Sequence, residues 1–125
     1  MYYKQEFGKL GEDIAANYLF DLGYSIIERN FACKSGEIDI IAYDETLKDS
    51  EIVFVEVKSR IDARCGEPAE AVNRYKKNHI KKVAEFFLMI NHLESSFCRF
   101  DVVEILSTHD ATKYSINHIK NAIYD

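Results

Sequence analysis

No run of apolar residues in this chain is long enough to cross a bilayer, and its first residues, MYYKQEFGKLGED, lack the apolar core of a secretion signal. Nothing directs export or membrane insertion, so a cytoplasmic protein is expected. Cysteine is sparse: Cys33, Cys65 and Cys98 are far apart, odd in number and form no C-x-x-C pair. That excludes a zinc framework and a disulfide scaffold and suits a reducing compartment. Proline occurs once, at Pro68, and no repeat, low-complexity tract or linker is visible. What remains is 125 residues, 47% hydrophobic and 30% charged. This is the composition of one globular domain, residues 1–125, with a core of its own.

The formal charge is −5, which argues against tight non-specific binding to nucleic acid. Its distribution is uneven. From Val57 to Lys82 there are eight basic and three acidic residues, a local +5 set against −10 for the rest of the chain. A basic zone on an acidic body can steer an anion, and it can equally be a solvated helix face rich in lysine.

Apolar periodicity places a helix over KQEFGKLGEDIAANYLFDLG, stopped at Gly23. Strands follow at YSIIERNF, GEIDIIAYD and, after a polar loop at 45–50, EIVFVEVKSR. IDARCGEPAE reads as a loop with Pro68 suited to the first turn of a long helix, AEAVNRYKKNHIKKVAEFFLMINHL. A strand at SFCRFDVVEIL and a short strand with a helical turn in KYSINHIKNAIYD complete the chain. The expected fold is α/β: a central mixed sheet flanked by helices, in the order α-β-β-β-α-β.

Two of those strands carry charges where a core is expected. Side chains alternate along a strand, so Glu56 and Lys58 should share a face with Ile52 and Phe54, and Glu37 and Asp39 with Ile41. A hairpin loop centred near residue 47 allows two neighbouring registers. In one of them Asp39 lies opposite Glu56, and Glu37 opposite Lys58. Like charges directly opposite are destabilising by up to about 1 kcal/mol, and a divalent cation such as Mg²⁺ is the simplest compensation. Glu37 reads as an ordinary charge guarding an exposed sheet edge. Asp39, Glu56 and Lys58 are better read together as a pocket.

The helices add two candidates. Phe7, Gly11, Ile14, Ala15, Tyr18 and Leu22 form one apolar stripe, with Glu12 on its rim beside Ala15 and Leu19. That glutamate either points into the pocket or marks the edge of the stripe. On the second helix Val72, Ile80, Val83, Phe87 and Ile90 form a stripe with Lys76 in its middle, a position for a lysine that snorkels or meets an anion.

An Asp followed by Glu-x-Lys on a hairpin flanked by helices resembles the PD-(D/E)xK nuclease superfamily, with its restriction-endonuclease-like fold. More closely, GEDIAANYL, RNF, GEIDIIA, VFVEVKSR, GEPAEAV, RFDVVEI and HIKNAIYD, in this order, resemble the bacterial UPF0102 proteins nearly from end to end. The resemblance implies a metal-dependent endonuclease acting on DNA rather than RNA, more distantly similar to archaeal Holliday-junction resolvases, with a homodimer by analogy alone. It implies Asp39 and Glu56 as ligands of Mg²⁺, for which Mn²⁺ would substitute. The Val57 carbonyl, between the motif residues, would complete the shell. Lys58 would orient water or stabilise the phosphate, and Glu12 would be a further ligand, direct or through water. Lys76, and Arg60 on the following loop, would touch the nucleic-acid backbone. Two departures are visible: Ile38 replaces the superfamily's proline, and Arg29 and Lys34 are the sole basic residues in RNFACKSGEID. The rival expectation is a non-catalytic module that binds nucleic acid or a partner through a vestigial site.

Overall fold

The computed structural model describes residues 2–61, 74–108 and 112–122, with side chains described for 9–61, 77–108 and 112–122. Helix α1, Tyr2–Asp21, leads into three strands, β1 (Tyr24–Cys33), β2 (Gly36–Asp44) and β3 (Glu51–Arg60). Helix α2, Arg74–Ile90, precedes β4 (Cys98–Ser107) and β5 (Tyr114–Ile119). The strands form one sheet in sequential order, and every pairing is antiparallel except β3 with β4. A parallel pair cannot be joined by a tight turn, and the connection that contains α2 supplies the crossover. The expected α-β-β-β-α-β order is therefore present, extended by β5.

Each helix buries one face of the sheet. Ala15, Ala16 and Leu19 of α1 pack with Tyr24, Ile40, Ala42, Val53, Val55, Val103 and Ile105. Ile80, Val83, Ala84 and Phe87 of α2 pack with Phe31, Ile38, Ile41, Ile52, Phe54 and Val102. The strict alternation of Ile52, Val53, Phe54 and Val55 between the two clusters explains why β3 is apolar throughout: it is the central strand, covered on both sides.

Several sequence expectations shift. Leu19, placed beside the rim of the α1 stripe, is fully buried, whereas Leu22 lies past the end of the helix and is exposed. Gly23, with φ of 101°, takes the left-handed conformation that ends α1, and its N–H meets the Phe20 carbonyl at 3.0 Å. Ile90 ends α2 at the surface rather than extending its buried stripe. Val72 and the loop with Arg64, Cys65 and Pro68 lie outside the described residues.

Helix α1 comes closest to the sheet at Gly11. A Cβ built on this residue would stand 1.9 Å from Ser59 Oγ and 3.1 Å from Ser59 Cβ. Only a residue without a side chain lets α1 lie this near the end of β3, and the next residue of the helix is Glu12.

Candidate metal centre

The β2–β3 register pairs Ile40 with Val55 and Ile41 with Phe54, the one of the two expected registers that sets Asp39 opposite Glu56. The regular ladder stops one pair short of them. There the Val57 N–H donates to Asp39 Oδ2 at 2.8 Å, so a carboxylate stands where a strand carbonyl would. In a strand the N–H and C=O of one residue point the same way. The Val57 carbonyl therefore faces the same gap as its N–H, which suits the ligand role the motif implied for it.

Strand β2 is offset at this point. Ile38 and Ile41 both pack on the α2 side, although they are three residues apart, while Ile40 packs on the α1 side. Asp39 sits in that offset and does not share Ile41's face as simple alternation predicts. On β1, Asn30 lies opposite, between the pairs Arg29–Ile40 and Phe31–Ile38, with φ of 54°. The irregularity of two neighbouring strands frees Asp39 from the α2-side core and brings it within electrostatic reach of Glu12 on α1.

Burial, first, pushes the Asp39 pKa up to about 6; the Val57 N–H opposes this, the Glu12 and Glu37 carboxylates add to it, and Lys58 lowers it. Glu12 is half-buried, 3.7 Å from the Arg29 guanidinium, which makes its shorter contact, 2.8 Å, with Asp13. With its amide assigned so that nitrogen rather than oxygen faces the two acceptors, the orientation hydrogen bonding requires, Asn30 donates to Glu12 Oε1 at 3.1 Å and Glu37 Oε2 at 3.2 Å. Glu12 therefore points toward the pocket rather than marking the edge of a stripe. Strand β2 is interior to the sheet, but its ladder to β3 ends at Ile40, so Glu37 lies on a stretch paired with β1 alone, and no β2–β3 pair joins it to Lys58. Glu56 is 6% exposed, and Lys58 and Arg60 are half-buried along the end of β3. Lys76 falls on α2, but its side chain lies outside the described residues.

Among the described residues, no three His, Cys, Asp or Glu side chains form a group that could hold a metal ion. A magnesium ion does not require one. It is commonly held by one or two carboxylates, with waters and substrate phosphate oxygens completing the octahedron. Asp39, with the Val57 carbonyl in the same gap and Glu56 opposite it in register, offers oxygen donors of that kind. Burial and two neighbouring carboxylates disfavour its negative charge, and a bound cation would relieve that.

A second charged cluster was missed from the sequence. Arg99, 8% exposed, donates from Nε to Asp101 Oδ1 at 3.1 Å and from Nη1 to Asp44 and Glu51 at 2.9 and 2.8 Å. Its Nη2 reaches the Tyr24 hydroxyl at 2.6 Å. Asp101 also meets His118 Nε2 at 2.7 Å and accepts the Asn121 N–H at 3.1 Å. Arg99 and Asp101 alternate with apolar residues much as Glu56 and Lys58 do, a pattern that could have been read in RFD. These groups lie at the other end of the strands, where they tie β1, β2, β3, β4 and β5 together.

The fold and site define a small mixed α/β domain with carboxylates and a lysine gathered where β2 and β3 part. Residues 11–105 match the family model described as Uncharacterised protein family UPF0102. A UPF0102 protein of Clostridium perfringens is 43% identical over 120 residues, covering 96% of this chain and 95% of the relative. One from Clostridium botulinum is 45% identical over 122 residues, covering 97% and 96%, and one from Caldicellulosiruptor saccharolyticus 44% over 119, covering 95% and 98%. The chain belongs to the UPF0102 family.

Proposed function

We propose that this domain is a divalent-cation-dependent nuclease of the PD-(D/E)xK type that hydrolyses phosphodiester bonds in DNA. The observation that carries the reading is the Val57 N–H on Asp39 Oδ2 at 2.8 Å, where the β2–β3 ladder gives way. A strand pair that parts around a carboxylate, with a buried glutamate and a half-buried lysine on the adjoining residues, is what a phosphate-cleaving cation site needs.

Asp39 and Glu56 would hold the ion, with the Val57 carbonyl as a third donor. When bound, the cation supplies Lewis acidity to the phosphoryl oxygen and a nucleophilic water. Lys58 supplies a fixed positive charge where the phosphate gains negative charge in the transition state. The hydrogen bond from Val57 anchors one oxygen of the Asp39 carboxylate, and the other would be available to hold the ion. Arg60, at the end of β3, and Lys76, early in α2, would contact the DNA backbone. No base-reading motif accompanies them, so recognition rests on backbone and shape.

The rival reading, a module that binds without cutting, draws on one observation. Arg29, one of two basic residues in the segment before Asp39, is engaged by Asp13 and Glu12, which leaves that segment little charge for a phosphate backbone. Calorimetry with Mn²⁺ separates the two. Binding by the wild type that is lost in Asp39→Asn, followed by DNA cleavage that is lost in Glu56→Gln, supports the nuclease. No binding, even with a DNA duplex or junction present to complete the shell, leaves the binding module. Cleavage that persists unchanged in Glu56→Gln marks a contaminating nuclease.

A further inference from the structure

Asn30 adopts φ of 54° inside a strand, a left-handed conformation that disfavours side chains and that asparagine tolerates better than most. It stands opposite Asp39, because the flanking pairs are Arg29 with Ile40 and Phe31 with Ile38. In the amide assignment that satisfies its neighbours, its nitrogen spans two carboxylates from different elements, Glu12 Oε1 on α1 at 3.1 Å and Glu37 Oε2 on β2 at 3.2 Å. Without a shared donor, like charges gathered around Asp39 would move apart. A lysine or arginine at position 30 would hold them but cancel the negative potential that draws a cation. A neutral amide with two N–H groups holds both and cancels neither.

We propose that Asn30 is a positioning residue of the cation site: its side-chain amide holds Glu12 and Glu37 beside Asp39, aimed there by its left-handed backbone. The inference rests on the cation reading of Asp39 and deepens it. Glu12 and Glu37 would then add to the negative potential that draws the ion to Asp39, and the short RNF segment acquires a role at the site that is independent of DNA contact. The bland alternative is that asparagine is there only because the backbone needs a residue at ease with positive φ.

Glycine distinguishes the two, since it accepts that φ at no steric cost and removes the amide. Mn²⁺ titration calorimetry and thermal melting without metal would be run on the wild type, Asn30→Gly and Asn30→Ala. Both variants should bind Mn²⁺ about 10- to 100-fold more weakly, the range for losing an outer partner of a metal ligand. Asn30→Ala should melt lower than Asn30→Gly, the difference being the cost of a side chain at positive φ. If Asn30→Gly binds as tightly as the wild type, the amide has no positioning role and the proposal is overturned, even where Asn30→Ala binds poorly. If the wild type itself does not bind Mn²⁺, with or without a DNA duplex, the cation reading fails and this assignment fails with it.

Discussion

Asp39 Oδ2 accepts the Val57 N–H at 2.8 Å, a side-chain contact in a position that the strand ladder would otherwise fill with a backbone carbonyl. The substitution has an energetic consequence. The hydrogen bond favours the carboxylate, but burial and the Glu12 and Glu37 charges outweigh it, and the pKa stands at about 6 instead of 3.8. The site is held open at the expense of stability, as functional sites commonly are.

A carboxyl raised to about 6 binds its proton more tightly in the folded state than in the unfolded state. Stability contributed at this position is therefore present below the unfolded pKa near 3.8 and is lost as pH rises through about 6. At neutral pH the loss amounts to about 3 kcal/mol at most. Asn can still accept the Val57 N–H through its carbonyl oxygen. Asp39→Asn should therefore stabilise the metal-free protein at pH 8, by about 1–2 kcal/mol once solvent screening is allowed for, and leave it nearly unchanged at pH 4. Denaturant melts of both proteins across that range would check it. A variant less stable than wild type at pH 8 would show that Asp39 is not disfavoured there as an anion.

Gly11 sets a second expectation. With 1.9 Å between Ser59 Oγ and the place a Cβ at residue 11 would take, Gly11→Ala forces either Ser59 or the whole helix to move. Overpacking of this kind costs about 1–3 kcal/mol. Ser59→Gly removes both close atoms, so the double variant should recover much of the loss, and a double-mutant cycle should give a coupling of at least about 1 kcal/mol. Additive effects would mean that α1 is free to shift. Because Glu12 follows Gly11, the single variant should also weaken Mn²⁺ binding, and the double variant should restore it.

The legibility of each feature in the sequence depends on how local its cause is. The bounds of β2 and β3 and the loop at 45–50 were readable because alternation and loop chemistry are local properties of the chain. The register opposing Asp39 and Glu56 came from the same arithmetic. The offset at Asp39 was not readable, because it depends on Asn30 of a neighbouring strand adopting a positive φ. Glu12 stayed ambiguous for a related reason: its direction is decided by how near Gly11 lets α1 approach Ser59, a contact between residues 48 positions apart. The Arg99 cluster gathers Tyr24, Asp44, Glu51 and Asp101, which no short window contains.

That cluster yields an acid-stability prediction of opposite sign to the one at Asp39. The Thr46 and Arg99 hydrogen bonds overcome burial and hold Asp44 down to about 2. Stability from this carboxylate is present above the unfolded pKa near 3.8 and is lost as pH falls toward about 2. Removing Arg99 leaves Asp44 and Asp101 buried without their cation, so Arg99→Met should cost about 3–5 kcal/mol at pH 7. Much of that difference from wild type should disappear by pH 2. Arg99→Lys should rescue poorly, because a single ammonium cannot serve acceptors that Nε, Nη1 and Nη2 reach separately. Full rescue by lysine would mean that charge alone, and not the fork geometry, holds the five strands in register.

Lys58 separates holding the cation from using it. It lowers the Asp39 pKa, so it lies near enough to act on charge at that site, yet an ammonium offers no lone pair to a metal. Lys58→Met keeps about the length of the side chain while removing the charge. Mn²⁺ affinity should then hold or rise slightly, since one nearby positive charge is gone. DNA cleavage should fall by at least about 100-fold, the usual loss when a preorganised group stabilising transition-state charge is removed. Single-turnover cleavage at saturating Mn²⁺, beside calorimetry on the same preparations, would measure both. Cleavage at the wild-type rate would remove Lys58 from the chemistry. Loss of Mn²⁺ binding in a variant that still melts like wild type would instead make the lysine part of what shapes the site.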